Sequence, residues 1–479
     1  MKTWSDRYSA VVGFVVAVAL LAQASSTVLP GLARQVDPSR MGAGVALVAL
    51  AYAGYLALAR AFGPVATSAA DAAWLVLSPL PRRGVLRKTA AILLAVSLLG
   101  GLALAVGLLS ALGVPDRLTL RLLTAAVLGM SATIGGMAAA VLAQASQAWD
   151  SWLLAAIISV VVLAVLAAVM GSGPWRPLLA AIAGAPAHVA SAIAVASAVA
   201  AAVLARRAWT ALERVPARRI LAASTRAGHV TTATVLLDPG ALTWIAEDEH
   251  WRRRGLRSRP WPPRLPGPLA LAWSDWRRLA RRPGRSALLL ASAALPALAA
   301  HAGGGLTTAA LVVVAAGALG AAAACTAGAR RDGDDPSLVR LSGVGIRPAL
   351  AARTLLPALV GGAWVSAALT GLVAVGALRE GPWWLFGPAA APALAAGALR
   401  MARRHPVDHS MPIIPLLGAA VPTGPVIWAL TGADLAALGC APAMLALSSQ
   451  PPALGPYLVA QALSGAGMAA VFLLRRRVR

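Results

Sequence analysis

The sequence predicts an all-α, polytopic membrane protein with about twelve transmembrane helices in two pseudo-equivalent six-helix halves. Three observations carry that expectation. The 479 residues are 59% hydrophobic and only 12% charged, with a mean hydropathy of +0.74. Charge-poor runs of about 20 residues, the length that crosses a bilayer, recur along the whole chain. One short pattern also occurs twice, 264 positions apart: Asp71–Thr89 reads DAAWLVLSPLPRRGVLRKT, and Asp335–Thr354 reads DPSLVRLSGVGIRPALAART. Asp71, Leu77, Ser78, Arg83 and Leu86 recur as Asp335, Leu341, Ser342, Arg347 and Leu350. A one-residue insertion then sets Lys88-Thr89 against Arg353-Thr354.

The first run, Val11–Leu29, follows a short basic start and reads as a retained span, because its end lacks a convincing cleavage site. Gly42–Phe62, Ala90–Leu112, Leu118–Ala143, Trp152–Met170 and Ala187–Ala205 complete the first half. The second half reads Ala287–His301, Leu306–Cys325, Ala349–Leu378, Trp383–Leu399, Ile413–Leu430 and Leu454–Leu474. Trp149, Trp152, Trp175, Trp383 and Trp384 fall near span ends, where amphipathic rings anchor at the headgroups. Leu178–Pro186 reads as a short hairpin, and Asp434–Ser449 as a re-entrant or external hairpin whose Pro and Gly must be buried in protein. Paired glycines such as Gly100-Gly101, Gly135-Gly136 and Gly361-Gly362 suit close helix approach, although an Ala-rich composition explains any one of them equally well.

Three regions follow: residues 1–205 as the first transmembrane half, 206–284 as a cytoplasmic connector with an interfacial helix, and 285–479 as the second half. In the connector, Asp238-Pro239 offers a helix start and Arg259–Pro268 a stiff Pro-rich spacer. Trp273-Ser274-Asp275 precedes the seventh span as Trp4-Ser5-Asp6 precedes the first.

The formal charge of +25 does not point to nucleic acid, because the basic residues alternate from side to side in loops. Lys2, Arg7, Arg60, Arg82, Arg83, Arg87, Lys88, Arg206–Arg285, Arg330–Arg353, Arg400–Arg404 and Arg475–Arg479 fall on one side, with few cations opposite. By the positive-inside rule that side is expected to be cytoplasmic, with both termini there; the large excess of Arg over Lys points to a GC-rich bacterial genome and so to a bacterial plasma membrane. Cys325 and Cys440 read as buried packing residues rather than a disulfide.

Several chemistries are missing. Only two lysines exist, Lys2 and Lys88, and neither lies in a phosphate-binding Gly-rich loop, so the chain has no P-loop of its own. No confident span carries a central carboxylate for ion coupling. His405-Pro406-Val407-Asp408-His409 has metal-ligand residue types, but Pro406 breaks the helix that would align them and the neighbours are basic. Glu247–His250 reads as a self-paired surface helix, and Asp332–Asp335 as a turn lacking the closing Glu of a calcium loop. No catalytic residue, cofactor or metal site is expected, and the chain does not read as an enzyme.

The duplicated loops are the strongest signal. After Asp71 or Asp335 as a helix cap comes an apolar turn, then Ser, a Pro or Gly break, and Arg. Such an element can seat its apolar face in a partner's groove while Arg pins carboxylates at the rim. The competing reading is that both loops rest on anionic headgroups.

Leu77–Lys88, LSPLPRRGVLRK, resembles the cytoplasmic loop of ABC-2-type transporter permeases, which joins the second and third helices and contacts the ATPase. Leu77, Pro79, Leu80, Pro81, Arg82, Arg83 and Leu86 match that pattern. The whole chain is similar to actinobacterial ABC-exporter-like membrane proteins with two fused six-helix halves. The resemblance implies a permease without a cofactor of its own, working with a separate cytoplasmic ATPase dimer that binds the ATP, and in contact with membrane lipids. The ATPase-coupling residues would be Asp71, Trp74, Leu77, Ser78, Arg82, Arg83, Arg87, Asp335, Leu341, Ser342, Arg347 and Arg353. The second copy departs from the pattern with Gly343 and Gly345 for Pro79 and Pro81 and one Arg347 for Arg82-Arg83, which puts its equivalence in doubt. A secondary carrier of the major-facilitator kind and a non-transporting membrane subunit are the alternatives.

Overall fold

A computed structural model describes residues 38–67, 74, 81–113, 117–171, 176–177, 181, 184–225, 266–341, 343–405, 407–408, 410–416 and 419–474. Val11–Leu29, Trp4-Ser5-Asp6, most of Leu178–Pro186, Asp238-Pro239, Glu247–His250 and the Arg475–Arg479 tail lie outside these residues. The described chain is helical except for one two-stranded antiparallel hairpin, and it separates into two compact units, Met1–Ser224 and Thr225–Arg479.

The first unit contains α1 (Pro38–Phe62), α2 (Arg82–Leu112), α3 (Leu118–Ala145), α4 (Gln147–Gly171) and α5 (Ala187–Ala211). Central α3 packs on α2, α4 and α5, while α1 lies against α2 and α4. Small residues set these approaches. A Cβ on Gly101 would stand 2.5 Å from Met130 Cα, and one on Gly42 would stand 2.5 Å from Gly171 Cα. Between helices in lipid, such backbone-to-backbone packing supplies the cohesion that hydrophobicity cannot. The outward faces, including Leu99, Leu123, Leu163 and Val195, stay exposed, as lipid-facing positions do.

Beyond α5 the chain turns at Leu212–Arg214 and then runs as helix over 217–225. Leu212, Val215 and Ile220 are buried against Leu86, Ala138 and Val141. Residues 206–224 therefore belong to the first unit rather than to a free connector. The buried Gln144 amide holds the chain after α1 from both sides, donating to Val65 O at 3.0 Å and accepting from Val65 N at 2.9 Å.

The second unit opens with α6 (Gly267–Ala280), α7 (Pro283–Ser292), α8 (Leu295–Gly303), α9 (Thr308–Ala323), α10 (Ala327–Asp334) and the short α11 (Pro336–Leu341). Then come α12 (Ile346–Ala374), α13 (Phe386–Ala402), β1 (Ile413–Leu416), β2 (Ala419–Pro422), α14 (Thr423–Leu430), α15 (Ala433–Gly439), α16 (Ala441–Ser449) and α17 (Gly455–Leu474). Trp364, Trp383 and Phe386 anchor its main core among small side chains. Trp364 Nε1 donates to Ser292 Oγ at 2.9 Å, tying α12 to α7.

Most neighbour relations repeat between the units, although the extensive α1–α4 packing of the first has no comparable counterpart between α9 and α15 of the second. The pairs α1–α2, α2–α3, α3–α5 and α3–α4 of the first correspond to α9–α12, α12–α13, α13–α17 and α13–α15 of the second. Burial repeats too. Leu86, Ser97, Gly101 and Ala105 are buried on α2, as are Leu350, Gly361, Val365 and Leu369 on α12 at a constant offset of 264. That ungapped register sets Thr89, not Lys88, opposite Arg353, so the one-residue insertion expected from the sequence is not needed to align the two helices.

Nine helices among the described residues are long and apolar enough to cross a membrane, or ten if α9 and α10, bent by 60°, form one span. Ile413–Leu430 differs from its expected span: it forms the hairpin and the eight-residue α14. Pro412, Pro415, Pro422 and Pro425 deny it the unbroken backbone ladder that a span requires. Asp434–Ser449 is the helical pair α15–α16, broken at Cys440 and closed by Gln461.

Candidate coupling site

In the second unit the repeated loop is built on a bend. After α9, Arg285 donates to Ala324 O and Thr326 Oγ1 donates to Ala323 O at 2.7 Å, so two carbonyls at the helix end are satisfied. The chain leaves at 60° as α10. Asp335 then accepts from Ser337 N at 3.1 Å and Ser337 Oγ at 2.5 Å, opening α11 with an acidic side chain at its positive end. Gly343, at φ +68°, takes the left-handed turn that leads into α12.

Arg353, about two turns into α12, is the hub. Its Nε and Nη2 donate to Asp332 Oδ2 and Oδ1 at 2.9 and 3.2 Å, a two-pronged contact with α10. Its Nη1 donates to Asp275 Oδ1 at 2.6 Å, Leu271 O at 3.2 Å and Ser274 Oγ at 3.3 Å, all on α6. Arg353, Asp275 and Asp332 are each buried. Gly328 lies against the cluster, where a Cβ would strike both the Arg353 guanidinium and the Asp275 carboxylate.

The surroundings are crowded with cations. Burial pushes the Asp275 carboxyl above the ordinary aspartate value, and the attraction of Arg353 only partly offsets it. Burial first, and then the neighbouring Arg331, bring Arg278 down to about 10, and burial lowers Arg403 as well. A small cavity of about 30 Å³ lies between Arg353, Asp332, Arg403 and Leu350.

Other expected site residues divide by position. Leu341 (83% exposed), Asp335 and Arg347 present themselves at the surface of the second loop. In the first copy Trp74 (80%) and Arg87 are exposed. Arg82 and Arg83 are instead engaged within their own unit: Arg82 Nη1 donates to Val215 O at 2.6 Å, and Arg83 Nε lies 3.1 Å from Glu213 Oε1. Both contacts lie at the start of α2, and the Arg83–Glu213 pair is partly exposed. Asp71, Leu77, Ser78 and Ser342 lie outside the described residues.

Asp275 and Asp332 are the functional candidates that the sequence reading did not join to Arg353. Asp275 lay within the recurring Trp-Ser-Asp motif, and Asp332 within the acidic run before the second loop. Their burial around one cation is tertiary information that neither motif carries.

A family profile matches residues 37–412, most of the chain. The chain belongs to DUF6297, a family of unknown function. No curated protein and no solved structure matches it.

Proposed function

We propose that this protein is the membrane permease of an ATP-driven exporter whose ATPase is a separate cytoplasmic subunit. The observation that carries the reading is the Arg353 joint. Three elements meet at one guanidinium: α6, the bent α10 that leads to an exposed apolar loop, and the long apolar α12. A push on the loop at Leu341 and Arg347 would reach α12 without being absorbed by soft side chains, because the Arg353 fork fixes orientation as well as distance. The loop itself offers an exposed Leu341 and an exposed Arg347, which suit an apolar groove rimmed with carboxylates. Motion of α12 relative to its packed neighbours would then open and close a path across the membrane, with the energy supplied from outside the chain. In this reading both loops face the cytoplasm, which the distribution of basic residues supports.

The test uses the residues that are free to touch a partner. Arg87→Glu combined with Arg347→Glu leaves the Arg82, Arg83 and Arg353 contacts in place. Tagged wild-type protein purified from its own membranes should carry a P-loop ATPase in stoichiometric amount, and the double variant should lose at least nine-tenths of it while running as the same monodisperse species. Equal ATPase recovery with the variant, or none with wild type, contradicts the proposal.

A further inference from the structure

The apolar stretch that does not form a span has a definite place in the second unit. From Met411 to Ala433 no residue carries charge. The helix within it, α14, and the residue that follows it are held at the arginine-rich end of α13. Arg404 Nη1 donates to Trp428 O at 2.8 Å, and the Arg404 guanidinium lies over the Trp428 ring, 4.0 Å from its centroid. Arg400 Nη1 lies 3.0 Å from Asp434 Oδ2. α14 is therefore fixed at the level where the α13 span ends. Beyond it, α15–α16 follows α13 back to the opposite end, where Gln450 Nε2 donates at 3.3 Å to Ala377 O, between α12 and α13. Ala433–Ser449 amounts to about 25 Å of helix, close to the hydrocarbon thickness of a bilayer. α14 itself has two unlike faces. Val426, Leu430 and Ile427 fall within one arc of about 100° on a helical projection, and all three are exposed. Gly424 and Trp428 lie opposite. Gly424 is buried where a Cβ would strike Asp408 O, and Trp428 Nε1 donates to His405 O.

We propose that α14 lies in the membrane surface, between a crossing by α13 and one by α15–α16, with Val426, Ile427 and Leu430 set into the acyl boundary of the leaflet at the Arg400–Arg404 end. Position is the first reason to name lipid as the occupant. The helix lies where a span leaves the hydrocarbon, beside Arg400, Arg403 and Arg404, whose charges suit anionic headgroups, and it carries a Trp, the residue that favours this depth. Charge is the second. α10 meets the same end of α13, since a Cβ on Gly333 would stand 3.3 Å from Arg403 Cγ. That neighbouring loop carries Arg330, Arg331, Asp334, Asp335 and Arg340, as a segment in water does, whereas the stretch around α14 carries none. Continuity is the third: the crossing that follows α14 exposes Leu438 and Leu445, apolar side chains of the same kind. A helix lying in the interface sinks its apolar side about 5–10 Å into the boundary between headgroups and acyl chains. With this placement α7–α8, α9, α12, α13, α15–α16 and α17 make six crossings in the second half, without Ile413–Leu430. The proposal rests on the membrane reading and not on the ATPase.

The test places one cysteine in the full-length chain with Cys325→Ala and Cys440→Ala as background, and labels it with the fluorophore NBD. Quenching is read in nanodiscs of phosphatidylethanolamine and phosphatidylglycerol, by nitroxide lipids labelled near the headgroup or near the chain end, and by iodide from water. The label on Ile427→Cys should be quenched at least twofold more by the shallow nitroxide than by the deep one. Iodide should quench it at least threefold less than a label on Glu380→Cys, in the exposed turn before α13. A label on Leu463→Cys, exposed half-way along α17, should show the reverse order of depth. Val426→Cys reads the same face independently and should behave as Ile427→Cys does. Iodide quenching equal to that at Glu380 puts the face in water and overturns the proposal. Quenching by neither nitroxide, the result expected if a second copy or another protein covers the face, overturns it too. So does a depth order like that of Leu463.

Discussion

At the scale of single residues, Arg353 decides how the second unit answers to change. Its two carboxylate partners are buried, so removing the cation strands two negative charges in a poorly solvated place. Arg353→Met is expected to cost about 4 kcal/mol, read as a fall in thermal unfolding midpoint in detergent. Adding Asp275→Asn and Asp332→Asn to that variant should recover more than half of the lost stability, since most of the cost is unpaired charge rather than the worth of the pairs. The pH dependence follows from Asp275. Its folded pKa lies above the ordinary aspartate value, so its contribution is fully present below that ordinary value and is lost as pH rises through the folded one. Wild type should therefore gain stability relative to Asp275→Asn as pH is lowered from about 7 towards 4. Differential scanning fluorimetry on both proteins across that range checks the sign, and a gain of the variant over wild type towards acid would contradict it. Arg353 was legible in the sequence as part of a repeat, but its partners were not. Contacts between positions 275, 332 and 353 belong to tertiary structure, and the Trp-Ser-Asp recurrence says only that a motif is reused.

At the scale of elements, the apolar runs declared themselves because a span must satisfy its own backbone, which enforces length and low charge. The ends of α1 and α3 fall within about one helical turn of the reading from hydropathy, while α4 begins and α5 ends more than a turn beyond it. Ile413–Leu430 was misjudged because average hydropathy ignores proline. Four prolines between 412 and 425 leave too few donors for a helical ladder, and the chain forms a hairpin instead. The expected re-entrant character of Asp434–Ser449 corresponds to two short helices whose break is held by Gln461. That buried amide accepts from Ala443 N at 3.0 Å and donates to Gly439 O at 2.7 Å. Gln461→Leu leaves both backbone groups unsatisfied and should cost about 2 kcal/mol, with faster maleimide labelling of Cys440 as the local readout. Unchanged labelling would mean that the break is held elsewhere.

At the scale of the whole molecule, duplication accounts for more than either half alone. Four helix pairings recur between the halves, the α1–α4 pairing does not, and buried positions recur at one spacing through α2 and α12. The halves diverge at one matched position: Arg353 with two buried carboxylates in one, Thr89 beside an apolar cavity of about 160 Å³ in the other. The duplicated loops could be read from sequence because their side chains are few and unlike the surrounding spans. The contacts within the first loop could not, since nothing in the sequence places Val215 beside Arg82 or Glu213 beside Arg83. The measurement that reaches the central claim most directly is photocrosslinking from the exposed tip of the second loop, with p-benzoylphenylalanine in place of Leu341. In native membranes it should form an adduct with a P-loop ATPase whose yield changes at least threefold between ATP-bound and nucleotide-free conditions. Adducts with lipid alone, or a protein adduct indifferent to nucleotide, would contradict the account.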